Sequence, residues 1–178
     1  DENGRHIQIG WMGMPDADYG NAPTVAHGWQ HCFTVPRLLT KGENGTLLQN
    51  PVPELDAQRG PARKLADGTE RSISPCFDLT AAPAGDFALT VARGVELVYT
   101  EQDSTCVLQF TDPAQASGRT QRRTTLSAPC RSVRVVGDRS SLEIFLNDGA
   151  AVFSTRYYPA ARDVAVKISG TDALVYSL

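Results

Sequence analysis

The chain has 178 residues, 41% hydrophobic and 21% charged, with 17 Lys and Arg against 20 Asp and Glu for a formal net charge of −3. A chain of this length hides roughly 70% of its extended surface on folding, enough for one full core with room for a small satellite, which argues against disorder. Basic residues are scattered rather than gathered into a stripe, and no apolar run nears the roughly 18 residues of a bilayer span, so nucleic acid and membrane are excluded as default partners.

The first residues, Asp1-Glu2-Asn3-Gly4-Arg5, lack the apolar heart of a signal peptide, and the chain does not open on Met, so we expect it to start after its gene does. Strands are predicted over Ile7 to Met12 and His31 to Thr40, with Leu47 to Gln49 returning. Asn44-Gly45-Thr46 matches a glycosylation sequon, but Asn-Gly between two extended runs is also what a tight hairpin requires, and we read it as the turn. Pro51 to Arg59, with Pro near the start and Gly60 past the end, predicts one or two helical turns at a junction. Three strands in about 50 residues cannot bury both faces of their own small sheet. The chain holds no internal repeat, so the missing neighbours are expected upstream.

From about Ile73 onward short alternating runs are punctuated by Gly, Asp, Asn, Ser and Pro, and nothing sustains a helical period, so this part reads as all-β. Phe87 to Val91 and Val95 to Tyr99 flank Ala92-Arg93-Gly94 as a hairpin. Thr105 to Phe110 and Arg119 to Thr125 follow. Arg131 to Val136, Ser140 to Leu146 and Ala150 to Tyr157 read as a meander, with bends at Gly137-Asp138-Arg139 and Asn147-Asp148-Gly149. In its middle strand Leu142, Ile144 and Leu146 take one face, and Glu143 and Phe145 the other. Asp163 to Ile168 and Ala173 to Leu178 finish the chain. Eight or nine strands at this spacing predict a two-sheet antiparallel β-sandwich.

Cys32, Cys76, Cys106 and Cys130 are widely spread, without zinc or redox spacing, and read as reduced thiols of a cytoplasmic protein in preference to disulfides. His27 and His31 sit near Trp29 without further ligands at metal spacing, so packing is the expected role and no metal is predicted.

Two groups of motifs carry a resemblance. Gly4-Arg5-His6-Ile7-Gln8-Ile9-Gly10-Trp11-Met12-Gly13, Pro23-Thr24, Gly28-Trp29-Gln30-His31-Cys32, Thr34-Val35-Pro36-Arg37 and Leu48-Gln49-Asn50-Pro51-Val52 resemble the end of the catalytic domain in glycoside hydrolase family 32. That family contains invertases, sucrose-6-phosphate hydrolases, inulinases and levanases. Leu142-Glu143-Ile144-Phe145-Leu146-Asn147-Asp148-Gly149 and Val152-Phe153-Ser154-Thr155-Arg156-Tyr157-Tyr158-Pro159 resemble its C-terminal sandwich. The resemblance implies a five-bladed β-propeller with a funnel-shaped active site and a β-sandwich packed on its side. Residues 1–50 would then be part of the last blade, 51–60 the linker with its short helix, and 61–178 the sandwich.

Retaining hydrolysis of a β-fructofuranoside needs two carboxyl groups flanking the bond. The family carries its acids in Trp-Met-Asn-Asp-Pro-Asn-Gly, Arg-Asp-Pro and Glu-Cys motifs, none of which occurs here. No catalytic residue is therefore assigned, no cofactor is implied, and the chain alone is expected to be inactive. Glu143 on its strand and Asp148 in its turn read as structural, Asp112-Pro113 reads as a turn, and Asp16 and Asp18 belong to a polar loop that could rim the fructose pocket. Trp11 is the one substrate contact carried over, since a flat indole can stack on a furanose ring; a core Trp holding the blade is the competing role. The family reads Pro-Arg-Glu-Leu where this chain has Pro36-Arg37-Leu38-Leu39, which puts an ion pair there in doubt. The intact enzyme would act on sucrose, sucrose 6-phosphate or fructan, and an orphaned blade edge could also receive another copy of the chain. A fructan-binding module or an oligomerisation module is the alternative, although only 7% of residues are aromatic.

Overall fold

A strand turns successive side chains to opposite faces, and the buried and exposed positions of this chain follow that alternation through most of its length. The computed structural model describes residues 1–13 and 17–178, so the expectation for Asp16 lies outside the described residues. Strands β1 (His6–Gln8), β2 (Arg37–Lys41) and β3 (Leu47–Pro51) form an antiparallel sheet in that order. The Asn44-Gly45 turn joins β2 to β3, with Gly45 at φ +78° in a short 3-10 segment, Glu43–Gly45. The expectations for the first two strands, Ile7 to Met12 and His31 to Thr40, were too long, and that for the third, Leu47 to Gln49, was too short. Pro36 has no N–H to give a ladder, and the Val35 N–H goes to the Glu143 carboxylate, so β2 starts only at Arg37. Trp11 meets Phe33 through one isolated bridge.

After a 3-10 helix over Pro53–Gln58, the expected junction turns, come β4 (Arg63–Leu65), β5 (Glu70–Ile73), β6 (Phe77–Ala81), β7 (Phe87–Val91), β8 (Val95–Thr100), β9 (Thr105–Phe110), β10 (Gln121–Thr125), β11 (Val133–Asp138), β12 (Ser141–Leu146), β13 (Ala151–Arg156), β14 (Val164–Ser169) and β15 (Ala173–Ser177). They make two six-stranded antiparallel sheets, ordered β10-β9-β8-β7-β14-β5 and β13-β12-β11-β6-β15-β4. One core joins the sheets. Leu89, Leu97, Leu108, Val166 and Ile168 come from the first, and Phe77, Leu79, Val135, Leu142 and Ile144 from the second. Each Leu or Ile buried here contributes about 1.5–3 kcal/mol of transfer free energy, which makes this layer the main source of stability.

The sandwich holds β4, β5 and β6 beyond the strands expected. β4 and β5 are three- and four-residue edge strands, mostly exposed, and β6 places the acid Asp78 at a fully buried position. The first bend of the meander also moves. Gly137 lies inside β11, opposite Leu142 and Phe77, because a Cβ there would sit 2.2 Å from the Phe77 ring; the turn is Arg139-Ser140. The second bend is a four-residue loop, Asn147 to Ala150, in which Asn147, Asp148 and Gly149 all have positive φ. Asp112-Pro113 begins a short helix, Pro113–Ala116, in which the Asp112 carboxylate accepts from the Ala114 N–H. An earlier helical turn spans Ala22–Val25.

Candidate functional site

The outer face of the second sheet carries polar side chains under a cover. Alternation points Asp78, Arg134, Glu143 and Arg156 away from the core, yet Asp78, Glu143 and Arg156 are at most 2% exposed, because the first 60 residues lie over them. Arg37, at the start of β2, donates from Nε and Nη2 to Glu143 Oε2 at 3.2 and 2.5 Å, from Nη2 to Ser154 Oγ at 2.5 Å and from Nη1 to Gln49 Oε1 at 3.0 Å. Glu143 Oε1 accepts the Val35 N–H at 2.6 Å. Burial pushes the Glu143 carboxyl above its ordinary value, against the opposing pull of the Arg37 guanidinium and the Val35 N–H. Nearby, Asp78 accepts from Arg59, just past the 3-10 segment, and from Arg134 of β11. Gln49 N–H donates to Gly149 O and Asn50 Nδ2 to Asp148 O, so the loop after β12 is tied to β3.

Beside this contact opens a cleft of about 340 Å³. Trp11, Tyr19 and Thr34 form one wall, and Arg119, Arg122 and Arg156 reach it from the sandwich. Trp11 is 55% exposed, and its indole meets the His31 ring edge-on with centroids 4.8 Å apart. A Cβ on Gly13 would lie 2.2 Å from that indole, so the glycine is what lets the ring occupy its place. Arg119 donates to Gly20 O, Ala116 O and Asn21 Oδ1 and lies 4.5 Å over the Tyr19 ring. Arg122 donates to Ser154 O and Tyr19 OH. Arg156 donates to Ser140 O, Ser140 Oγ and Gln30 O and lies 5.0 Å over the Trp29 ring. Among the described residues no carboxylate lines the cleft.

The residues singled out from sequence separate as follows. Trp11 stands at the cleft with His31, whereas His27 is exposed away from any ligand set, and among the described residues no three His, Cys, Asp or Glu side chains converge. Glu143 is spent on Arg37, Asp148 accepts the Ser132 hydroxyl within its turn, and Asp18 is exposed. Leu38 brings no acid of its own, and the buried ion pair beside it is a different one, Arg37 with Glu143 of the sandwich. All four cysteines are free. The sandwich itself exposes one large hydrophobic among its described residues, Leu174, and so presents no aromatic row; Trp11, Trp29 and Phe33, all exposed, belong to the N-terminal segment. Sequence reasoning missed Arg119, Arg122, Arg156 and Tyr19, which are distant in sequence. The available signal was Arg156, two positions from Ser154 on the face that Glu143 shares.

Two family models match the chain, that of the glycosyl hydrolases family 32 C-terminal domain over residues 41–175 and that of the family 32 N-terminal domain over residues 1–51. A sucrose-6-phosphate hydrolase of Klebsiella pneumoniae is 35% identical over 161 residues, covering 89% of this chain and 33% of the relative. A sucrose-6-phosphate hydrolase of Staphylococcus xylosus is 31% identical over 195 residues, covering 99% and 38%. The chain thus spans between about 33% and 38% of the length of these relatives. Among solved structures, a sucrose-6-phosphate hydrolase from Lactobacillus gasseri superposes with a TM-score of 0.86 at 20% identity over 99% of this chain and 39% of that one. A β-fructofuranosidase of Bombyx mori does so with 0.81 at 21% identity over 99% and 38%.

Proposed function

We propose that this chain, which belongs to glycosyl hydrolase family 32, supplies the last sector of the catalytic propeller and the C-terminal sandwich of a hydrolase that releases fructose from sucrose, sucrose 6-phosphate or fructan. On this reading residues 1–50 are part of the final blade, 51–60 the linker and 61–178 the sandwich. The carrying observation is where apolar surface is left open. Of the eight exposed large hydrophobic residues among those described, seven (Ile7, Ile9, Trp11, Val25, Trp29, Phe33 and Leu47) lie in the N-terminal segment. A contiguous segment so exposed marks a surface meant for a neighbour, and the rest of the propeller is the neighbour we assign.

The chemistry of a retaining fructosidase needs a nucleophilic carboxylate and an acid about 5–5.5 Å apart across the bond. The sequence lacks the family's motifs for both, so we assign this chain a positional contribution. Trp11 offers an indole face for the furanose ring, His31 braces the indole edge, and the Arg37–Glu143 pair fixes the blade against the sandwich. We further place the intact enzyme in the cytoplasm, a reading supported by four unpaired cysteines. Without its neighbour, the same apolar face would bring two copies together, so the isolated chain should self-associate as its concentration rises, which sedimentation velocity would register.

The test is complementation. The purified chain should leave sucrose and sucrose 6-phosphate intact, and co-expression with the catalytic portion of its parent enzyme should restore hydrolysis. In the assembled enzyme Trp11→Ala should lower kcat/KM by about tenfold or more, as expected for losing an aromatic contact of this kind. Turnover by the chain alone, or an assembled Trp11→Ala enzyme with unchanged kcat/KM, would overturn the respective assignment.

A further inference from the structure

The cleft beside Trp11 holds more positive charge than the function above uses. Buried guanidinium groups are normally met by carboxylates, because desolvating an unpaired charge is expensive. Arg37 obeys this rule through Glu143. Arg156, 2% exposed, and Arg119, 8% exposed, do not, nor does Arg122; among the described residues their partners are carbonyls, two hydroxyls and one amide oxygen. A guanidinium has five N–H donors. Those partners occupy three in Arg119, two in Arg122 and three in Arg156, leaving donors of all three without a partner among the described residues. Burial, with the charges of Arg122 and Arg156 adding to it, holds the Arg119 guanidinium below its ordinary range, against the favourable pull of Tyr158 and Tyr19. An anion in the cleft would relieve that repulsion.

We propose that this cleft is a phosphate-binding site in which Arg119, Arg122 and Arg156 of the sandwich take the phosphate oxygens, with Trp11 at the wall. Three guanidinium groups suit a doubly charged tetrahedral group better than a single carboxylate, since their planar forks pair with phosphate oxygens two at a time. Its volume, about 340 Å³, falls within the roughly 300–1,000 Å³ of small-molecule clefts. The phosphate is either free or carried by a sugar; only the contact of that sugar with Trp11 rests on the function proposed above.

Titration calorimetry of the 178-residue chain with inorganic phosphate, sucrose 6-phosphate and sucrose tests this directly. At least one of the two phosphate-bearing ligands should bind saturably and at least about tenfold more tightly than sucrose, and its affinity should fall as sodium chloride is raised. Tighter binding of sucrose 6-phosphate than of phosphate would identify the carrier as a sugar, and equal binding would identify free phosphate. Arg122→Gln, chosen because Arg122 is only half-buried, should weaken binding about tenfold while the far-ultraviolet circular dichroism is unchanged. Should that variant fail to fold, the salt dependence of the native chain decides the matter. No binding of either phosphate ligand, binding no tighter than that of sucrose, affinity indifferent to salt, or a folded Arg122→Gln chain that binds normally would overturn the site. Trp11→Ala separates the two readings: unchanged affinity for sucrose 6-phosphate would remove the sugar contact and leave the phosphate site standing.

Discussion

Glu143 and Arg37 meet across 106 positions of sequence, and among the described residues neither side chain has another ion-pair partner. Removing one partner of a buried pair strands the other, which typically costs 3–5 kcal/mol, so Glu143→Ala should lower the unfolding free energy by about that amount in urea titration. Replacing both residues with apolar ones of similar size should recover much of the loss. The thiols give a second residue-level expectation. Burial holds Cys106 up to about 12 and Cys130 up to about 11, from 9.0, so both stay protonated and covered at neutral pH. Iodoacetamide should therefore label Cys32 and Cys76, which are only partly buried, well before these two, as mass spectrometry of the alkylated peptides would resolve. The linkage has a definite sign. Above pH 9 the unfolded chain releases protons that the native thiols keep, so stability falls as pH rises from about 9 toward 12, and a Cys106→Ala, Cys130→Ala chain should show a shallower fall in urea midpoint.

At the scale of elements, strands with a clean two-residue period were legible. β7, β8, β9, β12 and β15 follow their apolar spacing, and the hairpin at Ala92-Arg93-Gly94 joins Val91 to Val95. β4 and β5 were not, because short edge strands of mostly exposed residues carry almost no alternation, and β6 was hidden by a buried acid whose two arginine partners lie 19 and 56 residues away. Gly137 misled for a different reason: glycine marks a turn by its backbone freedom, but here it marks the close approach of the Phe77 ring across the sheet. Gly137→Ala should overpack this contact and cost about 1–3 kcal/mol, and adding Phe77→Leu should return part of it, a coupling that a double-mutant cycle in denaturant would measure. Trp11, singled out from its motif, lines the cleft. The arginines around it were not legible, since their meeting depends on how the N-terminal segment lies over the second sheet.

For the molecule as a whole, a two-sheet core stands beside a three-stranded sheet that is latched to it by buried polar contacts and left apolar on its open side. The latch consists of Arg37 with Glu143, Asp78 with Arg59 and Arg134, and the β3 contacts to the loop at Gly149. Such an arrangement makes the sandwich a rigid base against which a blade can be held in register. It leaves the catalytic acids to the larger part of the enzyme that we propose surrounds it. The most direct measurement is hydrogen–deuterium exchange of the chain alone and of the chain assembled with its catalytic portion. Assembly should slow exchange in β1 and in residues 22–33 while leaving β7, β8 and β12 as they were; exchange in the N-terminal segment that does not change on assembly would contradict the account.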